Sequence, residues 1–217
     1  MELNADLSCP ATVDSAALAW VASPMPGVER RMLERNGNEV ARATSLVRYA
    51  PGSSFSPHIH GAGEEFLVLD GVFSDEAGDF PAGSYVRNPP GSRHQPRSAS
   101  GAVMFVKLRQ MPPEETRPIR LNTRDPTLWH DRDEHQQEAL LFEASWERVV
   151  MLHLAAGYMG VDKDWPHGIE IFVIEGKIEI NGTSCNAGTW LRRPPGSVLA
   201  VSSQSGALLY RKSGHLS

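Results

Sequence analysis

The feature that most constrains this chain is its own repetition. Adding 105 to a residue number carries the turn residues of one half onto those of the other: Gly52 onto Gly157, Gly71 onto Gly176 and Gly83 onto Gly188. Pro89-Pro90-Gly91-Ser92 falls on Pro194-Pro195-Gly196-Ser197, Ser100-Gly101 on Ser205-Gly206, and Lys107 on Lys212. Glycine permits positive φ and proline fixes φ, so such residues report backbone geometry rather than side-chain chemistry. Matching turns at a constant offset imply two tandem copies of one unit. Upstream the offset becomes 109, with Trp20 meeting Trp129 and Glu34 meeting Glu143. A hairpin at Asn36-Gly37, four residues longer in the first copy (109 against 105), accounts for the change.

Between the turns lie short apolar runs, which is the pattern of an all-β chain. The expected divisions are an N-terminal tail over residues 1–19, a first barrel over 20–110, a connector over 111–128 and a second barrel over 129–217. One exception to the all-β reading is a short helix expected over Asp133 to Phe142, where Glu134, Gln136, Gln137, Glu138, Ala139 and Leu140 are good helix formers.

Composition closes off several function classes. A 217-residue chain that is 41% hydrophobic and 22% charged can bury a core. A net charge of -5 and a pI near 5.9 give no support for nucleic-acid binding. The acidic N-terminus lacks the apolar stretch of a signal peptide, and the run from Ala16 to Ala22 is too short to cross a membrane. Two cysteines, Cys9 and Cys185, make no disulfide framework, so a reduced, cytoplasmic setting is expected.

The chemistry concentrates in residues 52–94. His58 and His60 are one residue apart, and on a strand i and i+2 share a face. Glu64 follows across a turn of three small residues, Gly61-Ala62-Gly63, with Phe66 and Val68 on its face. His94 arrives behind the rigid Pro89-Pro90-Gly91 turn. Three imidazoles and a carboxylate, with no thiolate nearby, suit one divalent transition metal per chain, Fe, Mn, Ni, Zn or Cu rather than Ca or Mg. A metal preferring five or six ligands would keep one or two positions open. Arg48, Phe66, Tyr85 and Arg87 are expected to border the same cavity, the arginines as forks for a carboxylate or carbonyl. Alternation leaves open whether Tyr85 and Arg87 or Val86 face inward. No catalytic residue is assigned. Asp75 and Glu76 read as solvated hairpin residues.

In the second copy the same offset places Lys163 at His58, Trp165 at His60, Ile169 at Glu64 and Leu199 at His94. These residues make no ligand set, and Trp165, Ile169 and Leu199 are expected to fill the interior. His153, His167 and Glu170 align with Arg48, Ala62 and Glu65, which are not ligand positions.

The string Gly52-x5-His58-x-His60-x3-Glu64-x6-Gly71, followed by Gly83-x5-Pro89-x-Gly91-x2-His94, resembles both motifs of the cupin superfamily. Ser98 stands where the second motif often has Asn. Pro51-Gly52, Glu64-Glu65-Phe66, Phe73-Ser74-Asp75-Glu76, Arg87-Asn88-Pro89 and Gly91-Ser92 resemble the ChrR-like cupins more narrowly. The resemblance implies two tandem cupin barrels of the double-stranded β-helix, or jelly-roll, type. It implies a metal on His58, His60, Glu64 and His94, with zinc expected first and Fe, Mn or Ni acceptable. That family contains zinc-binding domains of ChrR-type anti-sigma factors and metal-dependent dioxygenases that cleave small diketones or hydroxyketones. A sensory, anti-sigma-factor-like role is therefore expected first, with a dioxygenase as the alternative and a non-catalytic binding module as a third reading. The Cys-x-x-Cys of the sigma-binding helical domain is absent, and only about 19 residues precede the first copy. Partners implied are a small-molecule ligand or oxidant, a regulatory protein and a second copy of the chain.

Overall fold

The computed structural model describes residues 1–38, 40–163 and 165–216, with the Asp162 side chain left out. Among these residues there is no α-helix, only two 3-10 turns, Ser15–Ala17 and Pro126–Leu128. Everything else regular is strand, paired antiparallel, in two tandem cupin barrels. One compact unit holds Met1–Ala5 and Leu18–Arg124, and the other holds Asp6–Ala17 and Asp125–Ser217.

In the first unit the main sheet runs in the order Val28–Gly37, Ala41–Tyr49, Ala102–Leu108, Glu64–Asp75, Ser84–Asn88 and Ile119–Asn122. Val86 opposes Phe66, while Tyr85 opposes Leu67 and Arg87 opposes Glu65. Phe66, Val68, Val86, Met104 and Val106 form one core with Tyr49 and Phe73. Strand alternation then puts Tyr85, Arg87 and Glu65 on the opposite face from that core. In the second unit the order is Trp129–Asp133, Gln136–Ala144, Glu147–Leu154, Ala207–Ser213, Ile169–Ile180, Thr189–Arg193 and Ala11–Asp14.

The helix expected over Asp133 to Phe142 is a strand hairpin instead. Trp129–Asp133 and Gln136–Ala144 pair with each other, and the latter also pairs with Glu147–Leu154. Glu138, Ala139, Leu141 and Phe142 are buried while Leu140 is exposed, and a bulge between Leu140 and Phe142 breaks the period of two that would have marked a strand. The stretches read as tail and connector also contain paired strands. Glu2–Leu3 pairs with Val28–Gly37, and Ile119–Asn122 pairs with Ser84–Asn88. Ala11–Asp14 lies along Thr189–Arg193 in the second unit.

The turn glycines agree between the copies. Gly71 and Gly176 have φ of 71° and 74°. A Cβ at Gly71 would sit 2.1 Å from the Gly101 carbonyl oxygen, and one at Gly176 would sit 2.2 Å from that of Gly206. Both positive φ and close backbone approach require glycine at these bends.

Candidate metal centre

A two-stranded ribbon builds the centre. His58–Ile59 pairs with Arg93–His94, setting His94 opposite His58. The Gly91 N–H donates to the His60 carbonyl at 2.8 Å, and the His60 N–H donates to the Ser92 carbonyl at 2.9 Å. The proline-rich turn is thereby tied to His60 and returns the chain toward His94. Glu64 opens the long strand Glu64–Asp75 on the core face.

The structure brings His58, His60, Glu64 and His94 together, each offering one ligand atom, all within 4.8 Å of one another. Ligand atoms on opposite sides of a metal with bonds of about 2.0–2.2 Å lie about 4.0–4.4 Å apart, so a pair at the widest separation closes by about 0.4–0.8 Å to bind across an ion. The three imidazole centroids are 4.6 to 5.0 Å apart. Nε2 of His60 and of His94 is buried without a hydrogen-bond partner among the described residues. Each lies 3.5 Å from Glu64 Oε2, at ion-pair rather than hydrogen-bond range. A buried polar atom left unpaired is costly, and a divalent cation would satisfy both at once. The residues present therefore fit such an ion.

Neighbouring groups orient these ligands. His94 Nδ1 meets Asp75 Oδ2 at 3.1 Å, and His58 Nδ1 meets the Ser56 carbonyl at 3.0 Å. A proton on each Nδ1 leaves Nε2 with its lone pair toward the cluster, as outer partners of metal-binding histidines do. Asn88 Nδ2 donates to Glu64 Oε2 at 3.0 Å, and Arg120 Nη2 donates to Asn88 Oδ1 at 2.7 Å. Burial holds the His60 pKa below its ordinary value despite the nearby Glu64 charge. Burial also disfavours the charged form of His94, but the Asp75 hydrogen bond and the Glu64 charge outweigh it, and the net shift is upward. Burial would raise the Asp75 carboxyl, yet the hydrogen bonds from His94 and the Ala77 N–H bring it below its ordinary value.

A cavity of about 460 Å³ opens onto His58, His60 and Glu64. Its walls include Met25, Val28, Val47, Tyr49, Phe55, Met104 and Val106. A second groove, about 870 Å³, runs past His58, His94, Asp75, Asn88 and Arg120.

Arg48, Phe66, Tyr85 and Arg87 line neither space. Arg48 is half-exposed, pairs with Glu29 and stacks on Trp20. Phe66 packs within the core between Phe73 and Phe80. Tyr85 donates to Glu65 at 3.0 Å and Arg87 donates to it at 2.8 Å, both on the face away from the cluster. Asp75, read as solvated, is buried against His94. The signal was present, because Phe73 faces the core and Asp75 is two residues on. Glu76 is exposed and accepts from the Gln95 N–H. Asn88 and Arg120 were also missed, the latter because its strand lay in the expected connector.

In the second barrel Ile169 and Leu199 are fully buried, with Trp165 packed against the same core. The Arg211 guanidinium stands 5.0 Å from the Trp165 ring centroid, and Lys163 is exposed. His153 and His167 are exposed, whereas Glu170 is buried, accepting from Trp190 and meeting His215. No second group of metal-ligating side chains occurs among the described residues. No helix among them is long and apolar enough to cross a membrane.

No curated protein matches the sequence. Solved structures do match the fold. The bacterial pirin YhhW from Escherichia coli, in complex with nickel(II), is 13% identical with a TM-score of 0.72, over 94% of this chain and 98% of its own. Salicylate 1,2-dioxygenase from Pseudoaminobacter salicylatoxidans, with gentisate adducts, is 11% identical with a TM-score of 0.66, over 97% and 82%. A cupin 2 conserved barrel domain protein from Leptotrichia buccalis is 11% identical with a TM-score of 0.62, over 94% and 95%. At these identities the likeness is one of fold. The description of the ChrR cupin-like domain matches twice, over residues 9–112 and 125–217, one match for each copy. With both barrels accounted for in this way, the chain belongs to the ChrR cupin-like domain family.

Proposed function

We propose that the first barrel is a divalent-metal centre acting on a small organic molecule, in an oxidoreductase of dioxygenase type that cleaves small diketones or hydroxyketones. The observation that carries this reading is the pair of unpartnered, buried imidazole nitrogens in a cluster that opens onto a largely apolar-walled cavity of about 460 Å³. A purely structural ion would not need such a space, whereas pockets of this size commonly hold small ligands. His58, His60, Glu64 and His94 would hold one metal per chain. When bound, a redox-active metal such as iron supplies open positions for dioxygen and a substrate oxygen. Asp75 and the Ser56 carbonyl fix the imidazoles, Asn88 fixes Glu64, and Val28, Val47 and Met104 give the cavity apolar walls. Salicylate 1,2-dioxygenase, with the same fold, supports the assignment as precedent only.

The test is oxygen uptake by protein with measured iron occupancy across a panel of diketones and hydroxyketones. Uptake that depends on His60 is expected. Fully iron-loaded protein that consumes no oxygen with any of them would overturn the enzymatic reading. A second reading, a zinc-bearing sensor, is favoured by the family match. Zinc bound in preference to iron, together with a protein partner captured only in one metal or oxidant state, would select it.

A further inference from the structure

The cavity beside the cluster is unevenly charged. Among its described lining residues Glu64 is the single carboxylate, and it belongs to the ligand set. Two arginines, Arg30 and Arg109, line the same cavity. Neither makes an ion pair or a side-chain hydrogen bond with a described residue. Arg30 is half-buried on the strand Val28–Gly37, two residues from the core residue Val28, and so faces inward. Its Nε is buried without a hydrogen-bond partner among the described residues.

Arg109 is held in place by its backbone. Its N–H donates to the Gly63 carbonyl at 2.9 Å, and its φ is +58°. That region is unfavourable for a side-chain-bearing residue, and such strain gathers at binding and catalytic sites. The guanidinium lies against Gly61, the residue after His60: a Cβ at Gly61 would stand 2.9 Å from Arg109 Nη1. In the second copy the offset of 105 puts Gly214 at this position, with φ of +91°, where glycine is free of strain. Pro166 stands there at the place of Gly61. The barrel that assembles the histidine cluster thus carries a strained arginine, and the barrel without it carries glycine.

We propose that the molecule taken by this cavity is a small keto acid, its carboxylate held by Arg109 with Arg30 as a second cation and its apolar body against Val47, Met104 and Val106. This rests on the cluster being the metal centre proposed above, and narrows its substrate to ketones that carry a carboxylate. A divalent ion with one carboxylate ligand leaves a net positive centre, and two arginines with no ion-pair partner among the described residues add to it, so an anion balances the site. A planar guanidinium matches the two oxygens of a carboxylate as a fork.

The experiment uses the metal-loaded full chain and two probes of one shape, 4-methyl-2-oxopentanoate and its neutral amide, with binding measured by calorimetry. Metal content is measured on every sample, so loss of the metal centre is seen separately from loss of anion binding. The wild type should prefer the carboxylate. Arg109→Gly, which suits the positive φ and copies the second barrel, should keep its metal and melting temperature. It should bind the carboxylate about tenfold more weakly or worse, with the amide unchanged, as loss of a charged hydrogen bond predicts. Arg30→Met should weaken the carboxylate in the same direction. No preference of wild type for the carboxylate, including failure to bind either probe, overturns the proposal. So does carboxylate affinity that stays within about twofold in both variants, since a lost charged hydrogen bond costs more than that.

Discussion

The stretches Gly52–Gly71 and Gly157–Gly176 run through the same turns and carry different chemistry. Gly52 and Gly157 have φ of 75° and 84°, and Gly101 and Gly206 have 90° and 89°. Inside this shared frame, three imidazoles and a carboxylate converge in the first barrel. At the matching positions of the second stand Lys163, Trp165, Ile169 and Leu199, of which the last two are buried core. The first interior gathers three imidazoles and a carboxylate beside a cavity, whereas at the matching positions of the second an indole and two aliphatic side chains pack against the core, with the buried Trp165 Nε1 unpartnered among the described residues. The comparison separates what the fold requires from what the site requires. Glycines at bends serve the backbone and recur, whereas interior side chains are free to serve either packing or chemistry.

The largest effect expected from this contrast lies in the second barrel. Leu199→Ala should lower stability by about 2–5 kcal/mol in chemical denaturation, the usual cost of removing a fully buried leucine side chain. A change well under that range would mean the second interior is not packed as tightly as described. Next, Asp75→Asn should weaken metal affinity in the first barrel about 10–100-fold, as loss of an outer partner of a ligating histidine does. Unchanged affinity in a competition titration would remove Asp75 from the centre. Smaller again, Gly71→Ala and Gly176→Ala should each cost about 1–2 kcal/mol or more, because a left-handed φ is unfavourable for alanine and the new Cβ meets a carbonyl oxygen. The two costs should be alike, and a large disparity would break the claim of a shared frame. The smallest effect is expected from His60→Ala in metal-free protein, within about 1 kcal/mol, since lost packing is offset by removal of an unpaired buried nitrogen.

Much of this was legible in the sequence because it rests on residues with strong local meaning. The glycine and proline offsets announced two β units, and His58-x-His60 on a strand gave two imidazoles on one face. The parts that were not legible depend on long-range pairing. Gln136–Ala144 is composed of helix formers, and only its place between Trp129–Asp133 and Glu147–Leu154 makes it a strand. Alternation could not tell whether Tyr85 and Arg87 or Val86 faced inward until register set Val86 opposite Phe66. Asp75 was within reach of alternation along the Glu64–Asp75 strand, whereas Arg120 joins the cluster through a strand distant in sequence, and no local pattern marks Arg109, whose position follows from a strained φ.

The measurement that bears most directly on the asymmetry is metal content per chain in protein purified without added metal. Wild type, Lys163→Ala and Leu199→Ala should each retain about one divalent ion per chain, and the double variant His58→Ala/His60→Ala should retain essentially none. Full retention by that double variant, or about two ions per wild-type chain, would contradict a single centre in the first barrel.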